Sequence, residues 1–407
     1  MNKITKSFMT LAAAGVTIAP VAAVVSCNDT ESKKVDELKK EIEKVKADKT
    51  ASETNLQNQI NTLQADKKVV ESKLKDAIDR YNTVSLASSN AWNSISAEKE
   101  AMGREVYAHA TRLFDKMITQ PNVTLKNINK EGDKVVVTAT EEGQFIPVVF
   151  MDLDETVLNN FAFQNYLVTH NTFFSPALWG DFVSQAISKE VAGAIDFIKH
   201  VWDKGGVVMF NSNRDQGPQT QPSLDNLVKL GLDGKLMPDW IWWMQGTDKV
   251  DAKTFDQAHR NVRVSKEERM HWINTHKLTI DNVQAQFKVV MRVGDDISDF
   301  NDNFSKKAKI TNKEVVAALK NKEINYGKLF GNDSLDVKSV YYDKDKNEWV
   351  NEDFAASYIL IPGNTSYGSW VKQAVGSSKF NFDKINELLE KEGWVFTPKS
   401  STTNSNK

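Results

Sequence analysis

Residues 147–156 read Pro-Val-Val-Phe-Met-Asp-Leu-Asp-Glu-Thr. Pro147 to Met151 is continuously apolar, which predicts a strand buried on both faces. Val207–Phe210 and Val289–Val293 repeat the pattern. Between them lie the helix-like runs Lys189–Asp203 and Pro222–Leu230. A further helix-like run, 90–118, precedes the first strand, with a break allowed at Gly103. Doubly buried strands separated by helices imply an α/β fold built on a doubly wound parallel sheet. In such sheets ligands bind beyond the carboxyl ends of the strands. The residues just after each apolar run therefore carry the chemistry.

After the first run come Asp152 and Asp154. Residues i and i+2 of an extended chain point to one side, so both carboxylates are expected to face one pocket. Such a pair suits a nucleophile beside a general acid, with a cation holding the charges apart. After the second run come Asn211-Ser212-Asn213-Arg214. A hydroxyl at a strand end, next to the start of a following helix, suits a phosphate oxygen. After the third come Gly294-Asp295-Asp296-Ile297-Ser298-Asp299, oxygen ligands of the kind a hard cation such as Mg²⁺ takes. Lys266 opens a helix-like run, Lys266–Ile273, ahead of the third strand. Taken singly, each has a plainer reading: solvated loop, helix cap, turn or exposed lysine. Their conjunction, in the order Asp, Ser, Lys, Asp, is what points to one reaction.

That order resembles the haloacid dehalogenase (HAD) superfamily. Val148–Asn160 resembles the first motif of the acid phosphatases typified by lipoprotein e(P4), a surface 5′-nucleotidase. Phe210–Arg214 is similar to the second motif, Lys266-Glu267-Glu268-Arg269 to the third, and Val293–Phe300 to the fourth, where the family usually has Asn at the position of Asp296. Ile359–Trp370 resembles its C-terminal segment, stretched by a residue or two. The resemblance implies a HAD-like sheet with a small helical cap, formed by elements of about 157–200, and an Mg²⁺-dependent phosphomonoesterase. Asp152 would be the nucleophile and Asp154 the general acid and base. Ser212, Asn213 and Lys266 would hold the phosphoryl group. Asp152, the Asp154 carbonyl and Asp295 would bind the metal, with Asp299 in support. Tyr367 and, from the cap, Trp179 would stack on a nucleotide base. The substrate implied is a small phosphate ester such as a nucleoside 5′-monophosphate or nicotinamide mononucleotide (NMN). The alternatives are a phosphotransferase using the same site, or a binding lipoprotein that keeps the fold without catalysis.

The remainder of the 407 residues frames that domain. Net charge is −2, which gives no case for a nucleic-acid polymer as partner. The lone cysteine, Cys27, excludes an intramolecular disulfide or a cysteine metal cage. Lys3 and Lys6 precede the apolar run Phe8–Val25, and Val24-Val25-Ser26 leads into Cys27. This predicts a lipoprotein signal peptide, 1–26, with Cys27 lipidated and the protein tethered at the extracytoplasmic face; an uncleaved anchor helix is the alternative. Residues 27–85 predict a helical stalk. No Gly or Pro interrupts Asn28–Met102. Val35, Leu38, Ile42 and Val45 are spaced as a heptad, as are Ile60, Leu63, Val70 and Leu74, with a stutter at Leu56 and with Lys49 and Lys67 on the seam. A solvated single helix with Glu–Lys pairs among Glu37, Lys40, Glu41 and Lys44, a helical hairpin and a homo-oligomeric coiled coil all fit. The phosphatase-like domain is expected over 86–395, with 303–356 a loosely matching Lys/Asn-rich insertion and 396–407 an unstructured polar tail.

Overall fold

The computed structural model describes residues 29–126, 128–131, 134–246, 265–304, 310–363, 367–376, 380–392 and 396. The signal peptide, Cys27, residues 364–366 of the C-terminal motif and nearly all of the tail lie outside the described residues. No described helix is long and apolar enough to cross a membrane. The chain divides into two units, Met1–Asp76 and Ala77–Lys407.

The described part of the first unit is helix only, the larger share of α1 (Asp29–Val84). Its ion pairs are Asp36–Lys39, Lys49–Glu53 and Lys67–Glu71, rather than pairs among residues 37–44. Exposed pairs of this kind contribute little each.

In the second unit the opening helical run is two helices, α2 (Ala87–Ile95) and α3 (Ala97–Met117). The break falls at Ser96, whose extended backbone and side chain cap α3 by accepting from the Lys99 N–H. Gly103 stays helical. It is glycine because a Cβ there would stand 2.9 Å from the Ala192 carbonyl, where α3 crosses the chain. Then follow the hairpin β1 (Ile128–Glu131) and β2 (Lys134–Val137), and β3 (Ile146–Met151), buried throughout. The cap comes next: β4 (Leu158–Asn159), α4 (Phe161–Thr169), α5 (Pro176–Ser184) and β5 (Lys189–Glu190), with β4 and β5 antiparallel. The helix expected from Lys189 begins only at Ala194, as α6 (Ala194–Asp203), because Lys189 and Glu190 pair with β4 at the base of the cap.

The chain continues through β6 (Val207–Phe210), α7 (Thr220–Lys229), α8 (Lys266–Thr275), β7 (Lys277–Ile280) and β8 (Val283–Gly294). It ends with α9 (Asn312–Lys320), β9 (Lys338–Asp343), β10 (Glu348–Ala355), β11 (Ser357–Leu360), α10 (Ser369–Val375) and α11 (Phe382–Lys391). The main sheet runs β11-β8-β3-β6, all parallel, with β7 antiparallel on β8. β8 is longer than its apolar run. Its first half alternates in burial and forms a hairpin with β7 through Asp281 and Asn282, both at positive φ; its second half is wholly buried. β3 lies between β6 and β8, so strand order reverses at its carboxyl end, where α/β sheets place ligands.

One large core surrounds the sheet, and the cap has its own small cluster of Phe163, Phe182 and Val183. The 303–356 insertion is folded onto the domain. Phe304, Tyr326 and Trp349 pack ring to ring within it. Arg292, buried inside β8, donates to the carbonyls of Phe300 and Val340, so the insertion satisfies a charge in the sheet.

Candidate active site

Past Met151 the backbone leaves the sheet in a tight turn. The Asp152 N–H still bonds to Val293 of β8, while the Leu153 carbonyl accepts from Val157 and Leu158 and Glu155 adopts φ 58°. This turn holds Asp152 at the point where β3, β8 and α8 meet. Lys266 is the first residue of α8, and its helix start is set by a capping box between Ser265 and Glu268. The Lys266 Nζ donates to Asp152 at 2.5 Å and to Asp299 at 2.9 Å, and all three side chains are buried.

Oxygens of Asp152, Asp295 and Asp299 lie within 4.8 Å of one another. Burial raises Asp152 to about 7; Lys266 opposes this, and the Asp299 and Asp154 carboxylates add to it. Asp295 is pushed well above the usual carboxylate range by burial and then by Asp299 and Asp152. Burial works against the Lys266 charge, yet Asp152 and Asp299 outweigh it and hold the ammonium protonated. Three clustered carboxylates, with one ammonium bonded to two of them, crowd acidic groups that a cation would hold ionised. Such an all-oxygen donor set fits a hard divalent cation. Gly294 is required beside it, since a Cβ there would overlap the Asp299 side chain.

Asp154 has a different set of partners. Arg214 donates to it through Nε at 3.0 Å and Nη2 at 2.7 Å, and the Asn160 amide donates at 2.7 Å. Its carboxylate is not among the clustered three. The strand ends at Met151, and the turn after it gives each carboxylate its own cation, Lys266 for Asp152 and Arg214 for Asp154.

Ser212 is fully buried. Its hydroxyl accepts from the Arg214 N–H at 3.1 Å and its carbonyl accepts from Arg269 at 2.8 Å. The helix expected right after it starts only at Thr220; the intervening loop first pairs with Gln245, which donates its N–H to the Arg214 carbonyl and accepts from the Gln216 N–H. Asn213 is exposed on that loop. Tyr367 donates its hydroxyl to Glu155, which also accepts from the Asn160 N–H. Trp179 packs in the cap core against Phe163 and Phe182, with the Arg214 guanidinium 5.6 Å above its ring. Among the described residues no ring contact joins Trp179 to Tyr367.

Several residues of the site were not singled out from sequence. Arg269 is fully buried and donates from one nitrogen to Asn211, Ser212 and Trp243, locking the end of β6 to α8. Arg214 orients Asp154. Both stand in the motifs given above, three residues after Lys266 and two after Ser212, and that motif position was the available signal. Lys99 of α3 donates to the Pro362 carbonyl and feels the charges of Asp295 and Glu155. Nothing in its sequence surroundings marks it.

The family model described as "HAD superfamily, subfamily IIIB (Acid phosphatase)" matches residues 37–329. The match starts inside α1 and stops before β9. Among solved structures the chain is similar to the class C acid phosphatase from Bacillus anthracis, with TM-score 0.52 and 19% identity over 78% of this chain and 99% of that one. A structure of that class C acid phosphatase from Bacillus anthracis with tungstate bound gives TM-score 0.51 and 19% identity over 77% and 99%. At such identity the likeness is one of fold.

Proposed function

The chain belongs to the acid phosphatases of HAD subfamily IIIB, phosphomonoesterases, and from that premise we propose the roles of its residues, its substrate class and its placement in the cell. Asp152 attacks phosphorus through a carboxylate oxygen, forming an aspartyl-phosphate as the ester P–O bond breaks. Asp154, oriented by Arg214 and Asn160, gives its proton to the departing alkoxide. It then takes a proton from the water that attacks phosphorus, releasing inorganic phosphate and restoring Asp152. Lys266 offsets the repulsion between the carboxylate nucleophile and a phosphate dianion. Ser212 and Asn213 are assigned to the phosphoryl oxygens. A bound Mg²⁺ would supply charge neutralisation at the phosphoryl group, held by Asp152, Asp295, Asp299 and the Asp154 carbonyl.

The observation that carries this reading is the buried Asp152–Lys266–Asp299 contact beside Asp295. A pure binding protein has no use for a buried lysine aimed at a carboxylate. The substrate proposed is a nucleoside 5′-monophosphate or NMN, with Tyr367 and Trp179 as the aromatic surfaces for the base. The placement proposed is a lipid anchor at Cys27, supported by the leader-like run before it.

The test is phosphate release from nucleotides, sugar phosphates and NMN, with and without Mg²⁺ after chelation. Release that needs the metal and is lost in Asp152→Asn, with unfolding unchanged, is the expected result. Release that survives either treatment would overturn the assignment. Product appearing on an added alcohol rather than as free phosphate would mean phosphoryl transfer from the same intermediate.

A further inference from the structure

We propose that α1 pairs with α1 of a second copy of this chain as a parallel, in-register, two-stranded coiled coil.

Among the described residues nothing covers the apolar stripe of this helix. Leu38 is 54% exposed, Leu56 55%, Leu63 67% and Leu74 59%. These are not scattered positions. Val35 and Ile42 occupy a sites and Leu38 a d site of one heptad frame; after the stutter at Leu56, Ile60 is at a, Leu63 at d and Leu74 at a. At about 1.5 Å per residue the stripe runs along a helix on the order of 80 Å long. An apolar stripe of this length is rarely left facing water. Val35, Ile42 and Ile60 at a with Leu38, Leu56 and Leu63 at d are the combination that favours two strands over three or four, although Val45 and Val70 at d and Leu74 at a depart from it.

Charge placement names the occupant. The seam is interrupted at a by Lys49 and Lys67. Each is preceded at g by an aspartate, Asp48 and Asp66, and followed at e by a glutamate, Glu53 and Glu71. Each lysine already lies near its own glutamate, 3.8 Å for Lys49 and 3.7 Å for Lys67. In a parallel in-register pair, a lysine at a also lies beside the g residue of the other helix. Lys49 then meets Asp48, and Lys67 meets Asp66, of the second copy. A foreign apolar partner would leave these lysines on its own surface without that matched acid. A lysine at a weakens the pair and fixes its register and strand number.

The test uses the full chain in mild detergent with Cys27→Ser, so that no native thiol competes. Ile42→Cys or Leu74→Cys is added singly. Parallel in-register pairing brings equal seam positions within disulfide reach, a Cα separation of roughly 4.4–6.8 Å. Each single variant should therefore cross-link to itself on mild oxidation, while Lys40→Cys on the outer face should not. Cross-linking only in a mixture of the two variants would mean antiparallel pairing and would overturn the proposal. So would a monomeric mass by sedimentation at micromolar concentration. Lys49→Glu with Lys67→Glu should raise the dimer Kd about tenfold or more with phosphate release unchanged; an unchanged Kd would remove the charge argument.

Discussion

Asp152 and Asp299 share one ammonium, that of Lys266, inside a buried site. Removing it leaves both carboxylates unpaired. Lys266→Met should therefore destabilise the metal-free protein by about 3 kcal/mol or more. Urea unfolding after chelation measures this, and an unchanged midpoint would mean that the carboxylates are not held as described. Gly294 offers a gentler probe. Gly294→Ala drives a methyl into the Asp299 side chain without touching charge. We expect the apparent Mg²⁺ affinity to fall by roughly 10- to 100-fold, the range for misplacing a ligand through its surroundings. An activity titration with Mg²⁺ checks this; wild-type affinity would show that Asp299 is not needed at the metal. At this scale the acids were legible because they follow buried strands, and Lys266 because it opens a helix-like run. The arginines that orient them were not, because a motif records which residues are present and not which cation each carboxylate meets.

α8 delivers Lys266 and Arg269 to the site, and its placement rests on Glu267. That carboxylate accepts from the Asn301 amide and from the backbone N–H groups of Asp302 and Tyr342. It thus joins α8 to the turn after β8 and to β9 of the insertion. Burial raises Glu267 to about 7 from 4.5, against the pull of Arg292. The native state therefore binds more protons than the unfolded chain between those values. Stability from this group falls as pH rises through about 4.5 to 7 and is level above. Glu267→Gln removes that slope, so thermal melts across this range should show the wild type losing ground to the variant as pH rises. Parallel pH profiles would contradict it. β8 shows why element bounds are harder to read than element existence. Its apolar run was visible, but the first half, which forms the hairpin with β7, alternates because only one of its faces is buried. The same holds for Lys189–Glu190, which became strand because β4 was available to pair with it.

The C-terminal segment gathers the domain. Lys99 of α3 holds Pro362, Tyr367 holds Glu155, and Ser369 donates to Asp296 through both N–H and hydroxyl. Tyr367 therefore has two separable parts, a hydroxyl that ties this segment to the first motif and a ring proposed to face the base. Tyr367→Ala should raise KM for a nucleoside monophosphate about tenfold, the effect of losing ~1–3 kcal/mol of stacking. Tyr367→Phe keeps the ring and should leave that KM near wild type while lowering thermal stability through Glu155. Steady-state kinetics on the nucleotide and on a sugar phosphate decide it. Equal losses on both substrates in Tyr367→Ala would assign the residue to the fold alone.

The amino-acid sequence by itself determined where the buried strands stop and which chemistry stands at each stop: Asp152 after β3, Ser212 after β6, Asp295 after β8, with Lys266 opening a helix. Those are local facts, because apolar runs, caps and turns depend on neighbours a few residues away. Only the tertiary structure decided the pairings. Lys266 reaches Asp152 across 114 residues, Arg214 reaches Asp154 across 60, and Tyr367 reaches Glu155 across 212. Each requires the strand order that puts β3 between β6 and β8, and that order follows from how the whole chain buries its apolar faces. The insertion makes the same point. Its lysines and asparagines read as an insertion that matches the family only loosely, yet Arg292 and Glu267 of the core have partners there, and buried charges cannot be left without them.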